Sequence, residues 1–104
     1  MKEVKAIIRP SRLHKIRDAF RQLPGFPGMS VSHVEGCSMH AGEERHDTVK
    51  EELTDFTKKM RIEIITPDEM LPDILDIIRQ HADTGHQMGD GLLWVTNVSI
   101  FFRL

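Results

Sequence analysis

The stretch Met60-Arg61-Ile62-Glu63-Ile64-Ile65-Thr66-Pro67-Asp68-Glu69 decides the fold, because it passes from one secondary-structure pattern to another. Met60, Ile62 and Ile64 alternate with charged residues, which is the pattern of a strand with one buried face. Thr66 is the predicted N-cap of a helix, and Glu69 completes a capping box. Pro67 suits the first helical position. The segment therefore predicts a strand that leads directly into a helix.

A similar strand and helix open the chain. Residues 2–9 predict a strand that Pro10 ends, and Ser11 is the predicted N-cap of the following helix. One face of this strand is formed by Val4, Ala6 and Ile8. The helix carries an apolar face at three- and four-residue spacing, formed by Leu13, Ile16, Phe20 and Leu23.

Turn residues and apolar runs predict the other elements. The turn at 24–28 precedes a second strand over about 29–37, and residues 92–102 predict a long last strand that is rich in β-branched and aromatic side chains. The regular part of the second helix is predicted to begin near Pro72, and Gly85 is predicted to cap its end. Its apolar face is formed by Ile74, Ile77 and Ile78.

The element order β-α-β-β-α-β predicts an α+β fold, the ferredoxin-like sandwich, with a four-stranded antiparallel sheet and two helices on one face. Residues 1–104 are predicted to form a single domain. Apolar residues are expected on both faces of the sheet, and oligomerisation through the sheet would cover the face without helices. This expectation rests on the last strand together with Val4, Ile8, Met29, Val31, Ile62 and Ile64.

Charge and cysteine content exclude several classes of function. With 14 basic and 16 acidic residues the chain lacks the Lys/Arg-rich balance of a nucleic-acid binder. Cys37 is the single cysteine, which excludes an internal disulfide and favours a reducing compartment. The sequence has no membrane-length apolar run and no signal peptide, so a cytoplasmic protein that is not membrane-embedded is predicted. No nucleophile–base pair points to an enzyme.

A long loop separates the second and third strands, over about 38–57. It carries six acidic and two basic residues, so it forms an acidic flap on a slightly basic body. Loops of this length inside a compact domain are usually functional or disordered. The flap is therefore the first candidate for contact with a partner.

Four blocks of the sequence resemble the P-II nitrogen-regulatory signalling proteins. They lie in order over nearly the whole chain, at residues 1–10, 28–36, 55–68 and 84–91. The resemblance implies a homotrimer with nucleotide clefts between neighbouring subunits. It also implies that the flap corresponds to the T-loop, which docks onto a membrane transporter or an enzyme. The expected function is a signal-transduction regulator that binds a small effector.

The resemblance also implies a set of ligand-binding residues. The loop Gly89-Asp90-Gly91 would hold phosphates, Ser30 would meet the adenine, and Arg103 would belong to a charge clamp. At the base of the flap the implied ligand residues are Gly36, Ser38 and His40. His40 stands where the family has a glutamine that links the bound ligand to the conformation of the flap. His86, near the phosphate loop, could replace a missing cation when protonated.

Departures from the family pattern change the expected ligand. Leu92 stands where the family has a lysine that contacts phosphate, and Arg103 is the one arginine left of the usual two. ATP binding is therefore expected to be weak or absent, with ADP, AMP or no nucleotide preferred. The chain has no tyrosine, and Glu52 stands at the position of the tyrosine that is uridylylated in relatives, so that modification is excluded.

Two alternatives remain at the level of sequence. The main alternative is a metal sensor or tolerance protein on the same trimeric scaffold. Its candidate ligands are His40 and His46, which lie close to Cys37 and Met39 in the sequence. Such side chains are soft to borderline donors for a divalent metal. An enzyme of the acylphosphatase type shares the topology. It needs an arginine in its phosphate loop, and the loop Gly89-Asp90-Gly91 has none.

Overall fold

The structure, a computed structural model, describes residues 1–37, 56–85 and 91–104. The helices and strands follow the predicted order: β1 (Lys2–Ile8), α1 (Leu13–Arg21), β2 (Ser30–Gly36), β3 (Thr57–Thr66), α2 (Leu71–Ala82) and β4 (Gly91–Asn97). A 3₁₀ turn precedes each helix, at Pro10–Arg12 and Asp68–Met70. None of the helices in the described ranges is long and apolar enough to cross a bilayer.

The four strands form one antiparallel sheet in the order β2-β3-β1-β4. This order and the two helices on one face give the predicted α+β ferredoxin-like fold. In register, Val4 faces Ile64 and Val95, and Ala6 faces Ile62 and Leu93. Both helices pack on this face, which we call the helix face. The side chains buried there are Val4, Ala6, Ile8, Met60, Ile62 and Ile64 from the sheet and Ile16, Phe20, Ile74 and Ile78 from the helices.

The opposite side of the sheet, which we call the open face, has a different composition from the one predicted. Val4, Ile8, Ile62 and Ile64 were expected to supply both faces, but all four lie on the helix face. Successive residues of a strand point to opposite faces of the sheet, and directly paired residues of neighbouring strands point to the same face. The open face is therefore formed by the strand residues that lie between those of the helix face. Its apolar members are Ile7, Val34, Ile65, Leu92 and Trp94, and the charged residues Glu3, Lys5, Arg61 and Glu63 lie among them.

The predicted helix N-caps are wrong. In the first helix, Arg12 N–H donates to Arg9 O and Leu13 N–H donates to Pro10 O, so a 3₁₀ turn satisfies the donors that the Ser11 hydroxyl was expected to meet. Ahead of α2, Thr66 is the last residue of β3, and its hydroxyl donates to Pro67 O. The regular helix begins at Leu71 with Pro72 in its first turn, as predicted.

The predicted ends of α2 and β4 also shift. The helix ends at Ala82, and Gly85 lies beyond its cap with φ +84°, where its N–H donates to Asp83 Oδ1 at 2.7 Å. This is an Asx-type turn and not a glycine cap. The last strand ends at Asn97 and not at Phe102, because Asn97 pairs with Lys2 and β1 begins there.

Candidate functional site

Two of the predicted ligand residues, Ser30 and Arg103, line the same cavity, of about 530 Å³. Ser30 begins β2, and Arg103 reaches the cavity from the segment that follows β4. The Arg103 guanidinium carbon lies 5.6 Å from the centroid of the Phe101 ring, a cation–π distance that holds the charge at the cavity wall. The other lining residues are Glu3, Pro27, Gly28, Met29, Glu63, Ile65 and Phe101.

Two carboxylates in this cavity, Glu3 and Glu63, have cationic neighbours on the open face. Lys5 Nζ lies 3.9 Å from Glu3 Oε1 and 3.8 Å from Glu63 Oε2. Arg61 Nε lies 3.9 Å from Glu63 Oε1, and the Thr96 hydroxyl donates to Glu3 Oε1 at 3.2 Å. Among the described residues Arg103 forms no ion pair. The cavity therefore holds two partly neutralised carboxylates and one cation that is available to an anion.

A third predicted residue, Gly91, borders a second cavity, of about 270 Å³, at the start of β4. A side chain at position 91 does not fit, because a Cβ atom would lie 1.8 Å from Ile7 O and 3.0 Å from Ile7 C. Glycine thus lets β4 approach the backbone of β1 closely. The cavity is mostly apolar, and its other lining residues are Ile7, Ile8, Ile78, Arg79, Ala82, Asp83, Leu92 and Leu93.

Gly36 lies apart from both cavities, at the end of β2. It pairs with Thr57, whose hydroxyl donates to Gly36 O at 3.3 Å, so the two strands are tied where the flap begins. A Cβ at position 36 would meet Lys59 Cγ at 3.5 Å, an ordinary contact. Close packing does not require glycine at this position.

Ser30 and Arg103 meet in one cavity, but Gly36 and Gly91 lie apart from it and from each other. Ser30 and Gly36 lie on the edge strand β2, and Gly91 begins the opposite edge strand, β4. Three strand spacings of about 4.8 Å separate these edges, and the offset along the strands adds about 10 Å, so Ser30 and Gly91 are roughly 17 Å apart. A ligand shorter than this distance cannot touch both residues of one chain.

Five predicted residues of the nucleotide site lie outside the described residues: Ser38, His40, His86, Gly89 and Asp90. His46, the second predicted metal ligand, also lies outside them. Within 1–37, 56–85 and 91–104 no three His, Cys, Asp or Glu side chains are close enough to hold a metal ion. Metal binding by His40 and His46 stays a prediction.

Sequence reasoning missed Glu3 and Glu63 as cavity residues. Both are charged residues in alternating strands, where the simplest expectation is exposure to solvent. Only the register shows that Glu63 faces Ser30 across β3 and β2. The alternation in the quoted segment places Glu63 on the face opposite Ile62 and Ile64, but it does not identify the neighbouring strand.

The open face carries exposed apolar and unsatisfied polar groups. Trp94 is 40% exposed and Leu92 is 65% exposed. On the same face, Ser32 Oγ and Arg61 Nε are shielded from solvent and have no hydrogen-bond partner in the part of the chain that the structure describes. Buried polar atoms without partners are unfavourable, by about 1–3 kcal/mol each. The face has the properties of a surface that another protein surface completes.

Comparison with known proteins gives one consistent result. The family model described as nitrogen regulatory protein P-II matches residues 1–104. Nitrogen regulatory protein P-II 1 of Escherichia coli K12 is 35% identical over 104 residues, which is all of this chain and 91% of that protein. The P-II proteins of Bradyrhizobium diazoefficiens and Rhizobium meliloti are 32% and 31% identical over the same extent. The chain therefore belongs to the nitrogen regulatory protein P-II family.

Proposed function

We propose that this protein is a non-enzymatic signal-transduction regulator of nitrogen metabolism. It assembles as a homotrimer, binds a small effector in clefts between subunits, and controls a transporter or an enzyme through the flap between β2 and β3. One observation carries the effector site: two of the predicted ligand residues lie on opposite edges of the sheet, Ser30 on β2 and Gly91 on β4.

A closed ring of identical chains brings these edges together. In a head-to-tail ring the same two surfaces meet at every junction, so the β2 edge of one copy faces the β4 edge of the next. Each junction then combines Ser30 and Arg103 of one chain with Gly91 of its neighbour. Such a cleft can couple an effector to the flap, because β2 ends at Gly36, where the flap begins. The effector shifts the flap only by its difference in affinity for the two flap arrangements.

The open face supports assembly through the sheet. Its half-exposed Trp94 and the shielded Arg61 Nε, which has no hydrogen-bond partner among the described residues, favour an interface that a second copy covers. Burial of apolar area there is favourable at about 25 cal/mol per Å², and a neighbouring chain can supply an acceptor for Arg61.

Replacing Trp94 by glutamate is expected to convert the trimer to monomers, because the change puts three carboxylates into the covered face. Light scattering after size-exclusion chromatography measures the mass of the assembly. Trp94→Phe is the matched control, since it keeps an aromatic ring, and it should remain trimeric. Trp94 is also the only tryptophan, so its fluorescence emission should shift to longer wavelength on dissociation of the unmodified protein. A Trp94→Glu protein that is still trimeric would contradict assembly through this face.

Partner control is tested by affinity purification of the tagged trimer, with and without added adenine nucleotide. The proposal expects a retained protein whose amount changes with nucleotide. It also expects that protein to be lost when residues 43–52 of the flap are deleted. Retention that ignores both nucleotide and flap would contradict control through the flap.

A further inference from the structure

We infer that the outer surface of the two helices is a contact between copies of this protein, through which trimers associate side by side at low ionic strength. This surface is the side of α1 and α2 that faces away from the sheet, and we call it the outer helix surface. The contact is separate from the effector cleft and the flap. From the proposed function it takes only the trimer, as the unit that associates.

The two halves of the outer helix surface carry opposite charge. Residues 12–21, which include α1, contain four basic side chains and one acidic one. Residues 68–78, which include most of α2, contain four acidic side chains and no basic one. The exposed members form a basic stripe of Lys15, Arg17 and Arg21 and an acidic stripe of Glu69, Asp73 and Asp76.

The two stripes lie side by side, because α1 and α2 are antiparallel neighbours. Arg12 Nε, just ahead of α1, donates to His81 O near the end of α2, at 2.7 Å. At the other end, a Cβ on Gly25 would lie 4.0 Å from Met70 Sδ, so the turn after α1 is beside the start of α2. One chain therefore presents a basic stripe next to an acidic one.

The stripes do little to neutralise each other within one chain. Arg17 Nε and Arg21 Nη1 lie 3.6 and 3.8 Å from the same oxygen, Asp18 Oδ1, within α1. One carboxylate cannot balance two guanidinium groups, and Lys15 adds a third positive charge. No ion pair joins α1 to α2 among the described residues. Both stripes therefore keep charge that an oppositely charged surface can compensate.

A second copy matches both stripes at once. About a two-fold axis that runs parallel to the helices and between the stripes, the basic stripe of each copy lies on the acidic stripe of the other. A partner that is only acidic or only basic would match one stripe and be repelled by the other. The complementarity depends on charges that are present on the two helices, and not on the absence of charge elsewhere.

The contact is expected to be weak for one chain and stronger for a trimer. Exposed ion pairs contribute little individually, and salt screens them. A trimer that assembles through its open face presents three outer helix surfaces, so several weak contacts act together. Light scattering on the full-length protein at about 0.01 M and about 0.3 M salt measures the effect. The mean mass should be at least about twice that of the trimer at low salt and return to the trimer at high salt.

Charge reversal tests whether the stripes form the contact. An all-acidic variant and an all-basic variant should each remain trimeric at low salt, because like charges then face each other. An equal mixture of the two should associate, because the acidic surface of one matches the basic surface of the other. The first variant carries Lys15→Glu, Arg17→Glu and Arg21→Glu, and the second carries Glu69→Lys, Asp73→Lys and Asp76→Lys.

A control variant changes the net charge by the same amount outside the two helices, with Arg45→Glu, Lys50→Glu and Lys58→Glu. Mixed with the all-basic variant, it should remain trimeric. Association of that mixture would mean attraction between net charges and would overturn the contact. Unmodified protein that stays trimeric at low salt, or variants that associate alone, would also overturn it and leave the proposed function in place. A monomer at high salt would instead contradict the trimer of the proposed function, while growth at low salt would still support the contact.

Discussion

Replacing Phe20 by alanine is expected to lower the free energy of unfolding by about 3–5 kcal/mol. Phe20 is 2% exposed, and its ring lies parallel to that of Phe26, with centroids 4.3 Å apart and an interplanar angle of 8°. The change removes a large buried side chain from between α1 and the sheet and leaves a cavity that neighbouring side chains fill only in part. Since domains of this size are stable by about 5–15 kcal/mol in total, the change should remove a large fraction of the stability and lower the thermal midpoint.

Urea denaturation followed by circular dichroism measures this loss. Phe102→Ala is the matched control, because it makes the same chemical change at a side chain that is 79% exposed. Its stability should stay within about 0.5 kcal/mol of the unmodified protein. Similar losses in the two variants would mean that Phe20 is not the core residue that the structure shows. Protein concentration is held constant throughout, because assembly adds to apparent stability.

The faces of the elements could be predicted from the sequence because side-chain periodicity is a local property. Alternation in the segment from Met60 to Ile64 and the spacing of Ile16 and Phe20 assigned the core side of β3 and of α1, and both are buried as predicted. The order of strands and helices then left the ferredoxin-like sheet as the simplest topology. Val4, Ile8, Ile62 and Ile64 were expected to line both faces of the sheet, but all four lie on the helix face. The register between strands, and not the residue type, decides the face.

The ends of the elements could not be predicted, because they depend on contacts made elsewhere. Ser11 and Thr66 have the chemistry of N-caps. However, a 3₁₀ turn that begins at Pro10 and another that directly follows Pro67 satisfy the backbone N–H groups that these caps would have met. The long last strand was expected from its β-branched and aromatic residues, and it ends at Asn97 because no partner residue in β1 extends past Lys2. Propensity identifies a strand and does not limit its length.

The candidate site was predicted from resemblance more than from chemistry. Ser30 and Arg103 lie in one cavity, and Gly91 lies in another, so the residues form two groups. No local pattern shows that Glu3 and Glu63 belong to the first group, because they reach it from strands β1 and β3. These carboxylates matter most for the charge of the site, and only the sheet register places them there.

Replacing Gly91 by alanine is the second change for which we expect a large effect. The new Cβ would lie 1.8 Å from Ile7 O, 3.0 Å from Ile7 C and 3.4 Å from Ile8 Cα, all of which are backbone atoms of a central strand. Backbone atoms held by two neighbouring strands cannot move aside as a flexible side chain can. We therefore expect the start of β4 to move away from β1, and the free energy of unfolding to fall by about 1–3 kcal/mol or more.

Gly36→Ala is the matched control, because it adds the same methyl group to a glycine on the other edge strand. Its Cβ would meet only Lys59 Cγ, at 3.5 Å, so stability should change by less than about 0.5 kcal/mol. Chemical denaturation of both variants gives the comparison, and amide hydrogen exchange locates the change. Loss of protection should be confined to the pairs near Gly91 and Ile8 if β4 detaches at its start. Equal stability of the two variants would contradict the close approach of β4 to β1.

The same substitution separates a structural role of Gly91 from a role in effector binding. A displaced β4 start moves Leu92 away from the proposed junction with the next chain, and leaves Ser30 and Arg103 where they are. Folded Gly91→Ala protein should therefore lose affinity for the adenine nucleotide of the proposed effector site. An intact Gly91→Ala trimer that binds adenine nucleotide as tightly as the unmodified protein would place the effector wholly on the Ser30 side of the junction. The cleft would then need only one chain, and the reason for sharing an effector between subunits would disappear.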